Sequence, residues 1–284
     1  MEPTTLKVDV GGCSLHVESV GEGTAILFIH CLMCDSRMFA PQVAELSRDH
    51  RVITMDLRGH GRSDASPGGY TIRDVSKDVM KVLDALGLTR AIFAGHGIGG
   101  AAALHIALTD PDRVIALIMM NATADEESSG DALKARAFGL ALKAAGPRKE
   151  LLQIAAKSLF SHTCHVAHPE IVEAWIADAA NINAAGVQQA IEMMVRRPSL
   201  DQRLERLEMR ALAIAGSEDT VTPWALQQRL VDRMPNARMK TIQRAGHFSP
   251  IEKPRELTDL LRGFARELSE GVRDDRTGRL IKQS

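Results

Sequence analysis

The chain of 284 residues lacks any stretch near the roughly 18 consecutive apolar residues of a membrane span. Its opening, MEPTTLKVDV, has neither the cationic nor the apolar region of a secretory leader. Charge bias is absent as well: 35 Lys and Arg oppose 36 Asp and Glu, so no overall field draws the molecule toward nucleic acid or anionic lipid. Cysteine is scarce; four residues, two of them spaced as Cys31-x-x-Cys34, are too few for a disulfide scaffold and read as reduced thiols of a cytoplasmic protein. Internal repeats and low-complexity tracts are missing. What is present is 45% hydrophobic and 25% charged residues, the balance of a globular protein with a sizeable core, at a length that suits one large domain with an inserted or appended element.

Short β-rich runs come first, at Leu6–Val10, Leu15–Val20 and the nearly all-apolar Ala25–His30. Strand-like and helix-period segments then alternate: helix Phe39–Ser47, strand Arg51–Leu57, helix Thr71–Leu86, strand Ala91–Ala94, helix Gly99–Leu108 and strand Val114–Met120. Continuous apolar strands separated by helices imply an α/β fold, a mostly parallel sheet covered on both faces. From about 124 to 200 the strand signal disappears, and breaks at Gly146-Pro147, His168-Pro169 and Arg197-Pro198 divide the stretch into roughly four helices. The pattern resumes with strand Ala211–Ala215, helix Pro223–Met234, strand Arg238–Ile242 and a helix from about Glu252 to Leu268. The expected organisation is a core of residues 1–123 and 201–270, a helical cap at 124–200, and a flexible polar tail at 271–284.

The most informative segment is Ala94-Gly95-His96-Gly97-Ile98-Gly99-Gly100, between a buried strand and a helix of small residues. Gly95, Gly97 and Gly100 fit a dinucleotide fingerprint, in which pyrophosphate approaches a helix N-terminus. The same residues fit a nucleophile elbow, a sharp strand-to-helix turn that lifts its central residue above the sheet. The neighbourhood favours the elbow: several strands precede it, and the next strand closes on Met119-Met120-Asn121 without the acid a dinucleotide fold wants.

Four further segments fall in order around this turn. They are His30-Cys31-Leu32 after the third strand, Asp56-Leu57-Arg58-Gly59-His60-Gly61-Arg62-Ser63, Asp219 within Gly216–Pro223 after a late strand, and His247 in Ala245-Gly246-His247-Phe248. With the elbow, this ordered set resembles the α/β-hydrolase family over roughly residues 5–268, and is most similar to small bacterial esterases and enol-lactone hydrolases. The resemblance implies nucleophile, acid and base at Gly97, Asp219 and His247. It also implies an oxyanion hole from the Leu32 and Ile98 backbone N–H groups, and a pocket near His30, Cys31, His96 and Phe248. It requires no metal and no organic cofactor.

Imidazole titrates near neutral pH and can relay a proton, while a carboxylate orients its tautomer. The attacking oxygen is what the sequence lacks, because most of the family carries Ser where this chain has Gly97, and glycine can form no acyl intermediate. Three readings stay open: an ester or lactone hydrolase lineage with its Ser replaced, a nucleophile-independent His247–Asp219 general-base enzyme, or a non-catalytic small-molecule binder. Apolar cap residues (Leu140, Leu151, Leu152, Ile154, Leu159, Trp175, Ile176, Met193 and Met194) suggest a small apolar ester or lactone, some of them walling a pocket. Elsewhere the plain readings prevail. Cys31 and Cys34 are packing thiols, His162, Cys164, His165 and His168 form a polar turn rather than a metal site, and Arg58–Asp64 is a structural turn.

Overall fold

A computed structural model describes residues 2–270, 272–273 and 280–281. Eight strands, β1 (Thr4–Asp9), β2 (Ser14–Val20), β3 (Ala25–Ile29), β4 (Arg51–Met55), β5 (Ala91–His96), β6 (Val114–Met120), β7 (Ala211–Gly216) and β8 (Ala237–Ile242), form one sheet. Their order is β1-β2-β4-β3-β5-β6-β7-β8. The β1–β2 and β2–β4 pairs are antiparallel and every later pair is parallel. This is the mostly parallel α/β sheet that the alternation of segments leads one to expect, in the architecture that the α/β-hydrolase resemblance implies.

The apolar runs are continuous because both faces are covered, and the period of two sorts them. On β3, Leu27 and Ile29 join the core on one face while Ile26 and Phe28 join the other; Phe93 and its neighbours Ile92 and Ala94 divide the same way on β5. The covering helices of the sheet domain are α1 (Ala40–Leu46), α2 (Ile72–Ala85), α3 (Ile98–Thr109), α9 (Trp224–Arg233), α10 (Ser249–Glu252) and α11 (Pro254–Ser269). The helix expected from about Glu252 starts at Pro254, because proline disfavours helical geometry at Lys253, which sits at φ −134° and ψ 55° and sets it off from the short α10.

Between β6 and β7 lie five α-helices rather than roughly four: α4 (Ser129–Ala145), α5 (Lys149–Leu159), α6 (His162–Ala167), α7 (Pro169–Ala179) and α8 (Ala184–Arg196). Side-chain caps create the extra starts. Ser161 accepts a hydrogen bond from the Cys164 N–H at 2.8 Å, and Asn183 accepts one from Gly186 at 3.1 Å. The insertion is fastened to the sheet domain at several places, two of them close to the rim of strand ends. At the α5–α6 joint, the Phe248 N–H donates to Leu159 O (3.0 Å), and the Ser161 N–H and hydroxyl both donate to Glu252. At the start of α8, Gly186 lies against Gly59 so closely that a Cβ there would stand 2.3 Å from the Gly59 oxygen.

Val272–Arg273 pairs antiparallel with Leu280–Ile281, and the remainder of the tail expected at 271–284 lies outside the described residues.

Candidate active site

The parallel strands converge their C-terminal ends on one rim, where open α/β sheets place ligand sites. His30 follows β3, Gly97 follows β5, Asn121 follows β6, Asp219 follows β7 and His247 follows β8.

Gly97 caps α3 with φ 53° and ψ −115°, a left-handed conformation unfavourable to other residues. Gly99 lets α3 press on the sheet, since a Cβ there would fall 2.2 Å from the Ile29 oxygen. Built on Gly97, a Cβ would stand 3.2 Å from His247 Nε2 and 3.2 Å from the Cys31 Cβ, so the elbow faces the imidazole. His247 Nδ1 stands 3.1 Å from Asp219 Oδ2, and both residues are buried.

The carboxylate is heavily solvated by protein. Asp219 Oδ1 accepts from the Val221 and Thr222 N–H groups at 2.9 and 3.0 Å, and Oδ2 accepts from the Thr222 hydroxyl at 2.5 Å and the Asn121 amide at 2.8 Å. Burial alone would raise its pKa, but the facing His247 and these donors outweigh burial and hold it at about 2. Asp219 is thus a fixed anion beneath the ring.

His96 donates from Nε2 to the His247 carbonyl at 2.7 Å, and burial drives its own pKa down to about 3, so it stays neutral. His30 accepts the Leu57 N–H on Nε2 at 2.8 Å, which leaves its proton on Nδ1 for the Cys31 carbonyl at 2.7 Å. It ties the loop after β3 to the loop after β4. Asp56 completes that tie, accepting the Ser36 and Arg62 N–H groups at 2.8 Å each, while Ser63 donates to the Asp56 carbonyl at 2.6 Å. Arg58–Asp64 is therefore a structural turn. Beyond Leu32 the loop turns sharply at Met33, φ 59°. Among the described residues, the Leu32 and Ile98 N–H groups have no protein acceptor.

The structure places the expected pocket residues below the surface. His30, His96 and Phe248 are fully buried and Cys31 nearly so; they form the layer beneath the rim, because their rings and thiol are spent on loop contacts and packing. A cavity of about 690 Å³ opens beside the site, walled by Met33, Cys34, His60, Trp175, Val187 and Ile251 among others, with neither Gly97 nor His247 in its lining. Trp175 is thus the one residue of the expected cap set in this wall; Leu140 and Ile154 point to solvent, and Leu152 and Met193 are core. Cys31 is a protonated thiol, its pKa raised well above the ordinary value by burial and by Cys34. His162–Cys164–His165 fall on helix α6 rather than in a turn, with Cys164 buried and His165 Nε2 on the Ala156 carbonyl at 3.1 Å. No group of side chains suited to a metal ion occurs among the described residues. Asn121, Thr222 and Ser249 escaped the sequence reading; the only signal was a short polar residue at a strand end and a Thr three places after the acid.

Known proteins share this fold. Residues 24–254 match the α/β-hydrolase-fold family. A putative carbamate hydrolase of Variovorax paradoxus is 31% identical over 281 residues, covering 91% of this chain and 98% of its own. A 3-oxoadipate enol-lactonase of Acinetobacter baylyi is 28% identical, covering 90% and 93%. Among solved structures, a thermophilic esterase of Thermogutta terrifontis superposes with a TM-score of 0.88 at 26% identity (93% and 99% covered), and the enol-lactonase of Burkholderia xenovorans with 0.85 at 26% (92% and 100%). No described helix is long and apolar enough to cross a membrane. On its family match, its sheet order and its rim of strand-end residues, this chain belongs to the α/β-hydrolase family.

Proposed function

We propose that this chain carries the site of a small-molecule ester or lactone hydrolase in which the covalent route is closed at position 97. One observation carries the reading: the elbow directs its missing side chain at His247 Nε2, 3.2 Å from where a Cβ would begin. In this reading His247 is the base, Asp219 holds its Nδ1–H, and the Leu32 and Ile98 N–H groups receive the oxyanion that forms when a carbonyl is attacked. The five-helix insertion serves as a cap over this rim. Relatives named for carbamate, enol-lactone and ester chemistry support a small carbonyl substrate. Four free thiols support a reducing, cytoplasmic setting.

The test compares the protein with its Gly97→Ser form on chromogenic esters, lactones and carbamates. Gly97→Ser should show a burst of one acyl group per chain that the parent lacks. A folded Gly97→Ser protein inert on all three classes would overturn the assignment.

A second reading is favoured by the completeness of the Asp219 shell, four donors besides His247. Here the dyad activates water directly, with no enzyme nucleophile. It expects burst-free turnover by the parent that His247→Ala abolishes.

A further inference from the structure

We propose that Asn121 is a positioning residue that locks the acid and the base of this site into one unit. The proposal rests on the reading of Asp219 and His247 as a working dyad.

Asn121 closes β6, is fully buried, and adopts φ 49°, a left-handed backbone uncommon for a residue with a side chain. Such conformations persist where the surroundings over-determine them. Here the backbone is held by its N–H, which donates to Ile214 O of β7 at 2.8 Å. The side chain is used completely at one end and singly at the other. The amide donates to Asp219 Oδ2 at 2.8 Å and to the Gly246 carbonyl at 3.2 Å, and its oxygen accepts the Ser249 hydroxyl at 2.6 Å. Gly246 and Ser249 flank His247 in sequence. One amide therefore grips the carboxylate and both shoulders of the histidine loop.

The chemistry needs an amide. An amide NH₂ group has two donors, one for the carboxylate and one for the Gly246 carbonyl, and its oxygen is free to accept. An Asp would put a second anion against Asp219, and an apolar residue would leave the Ser249 hydroxyl and the Gly246 carbonyl without their partner. Asn121 touches no reacting atom in this arrangement; it acts through Asp219 and the His247 loop.

The experiment follows the His247 Nδ1–H by proton NMR, a readout of the histidine–carboxylate bond that needs no turnover. In the unmodified protein this proton should give a resolved downfield signal that exchanges slowly with water. Asn121→Leu, which preserves bulk, should accelerate that exchange by about tenfold or more, the factor expected when a hydrogen bond to a charged group is removed. Ser249→Ala removes only the hydroxyl that orients the amide, and should move exchange in the same direction by a smaller factor; it decides the matter if Asn121→Leu fails to fold. Exchange unchanged in the folded variants overturns the proposal. In a Gly97→Ser background that has gained activity, adding Asn121→Leu should lower kcat about tenfold at constant KM. If Gly97→Ser stays inert, the assigned reaction fails, yet the exchange measurement still judges Asn121.

Discussion

Gly97→Ser is the perturbation whose consequences can be worked through from the geometry. Residue 97 sits at φ 53° and ψ −115°, and holding a residue other than glycine there costs about 1–3 kcal/mol. The added Cβ meets the Cys31 Cβ and His247 Nε2 at 3.2 Å each and His247 Cε1 at 3.6 Å. The imidazole can tilt, but the Cys31 Cβ is fixed by its backbone, so accommodation takes a shift of a few tenths of an ångström in the loop after β3. At about 2–4 °C per kcal/mol for a chain of this size, the melting temperature should fall by roughly 2–12 °C. Against that loss stands a gain in chemistry. Removing the nucleophile from a working serine triad costs about 10⁶ in kcat, so even a poorly aligned hydroxyl should raise ester turnover by at least about 10². Differential scanning calorimetry checks the first number, and stopped-flow release of a chromogenic phenol checks the second. A variant that melts within the window but gains neither burst nor rate would refute the placement of His247 as its base. A loss of stability beyond about 5 kcal/mol would refute the steric argument.

Other consequences can be measured directly. Gly186→Ala should destabilise the protein by about 1–3 kcal/mol in urea, because the new methyl meets backbone at Gly59; an unchanged midpoint would mean the contact is loose. Burial keeps His60 and His96 neutral, at about 4 and about 3, and lowers His30 as well, whereas the unfolded chain takes up these protons near 6.5. Stability should therefore hold above about pH 6.5 and fall as pH drops toward 4, with His60 and His96 each contributing about 1.4 kcal/mol per pH unit and His30 acting in the same direction. Urea titrations at pH 7 and 5 test this, with a shallower slope for His60→Asn and no slope at all as the refuting result. Neutral alkylating reagents should label Cys34 first, since Cys13, Cys31 and Cys164 are buried and their thiol pKa values raised; mass spectrometry showing Cys31 modified first would contradict the packing.

Much of this arrangement was visible in the sequence, for physical reasons. Apolar runs such as Ala25–Ile29 and Ala211–Gly216 are buried on both faces, so their composition alone marks parallel strands. The elbow shows because close approach and a positive φ leave glycine few substitutes. Asp219 and His247 could be picked out because chain order survives folding. The cavity wall could not: Trp175 and Val187 reach it through the packing of α7 and α8, while Leu140, with the same apolar character, faces water. Nor could Asn121, whose side-chain partners lie 98, 125 and 128 residues further along the chain. The break at Phe160–Ser161 carries no proline or glycine, and only the Ser161 cap betrays it.

The moorings of the insertion bear on how a substrate arrives. A flap can swing open only if it is slack somewhere other than its hinge, and this one is tethered at Ser161 to Glu252, at Thr163 to Glu218, and by bare backbone contact at Gly186. Glu218 adjoins Asp219, and Glu252 also accepts the Gly246 N–H, next to His247. Prising the whole insertion upward would tug on the acid and the base together. On the proposed reading of the insertion as a cap, admission falls to small yielding movements of side chains and of single helices while these tethers hold.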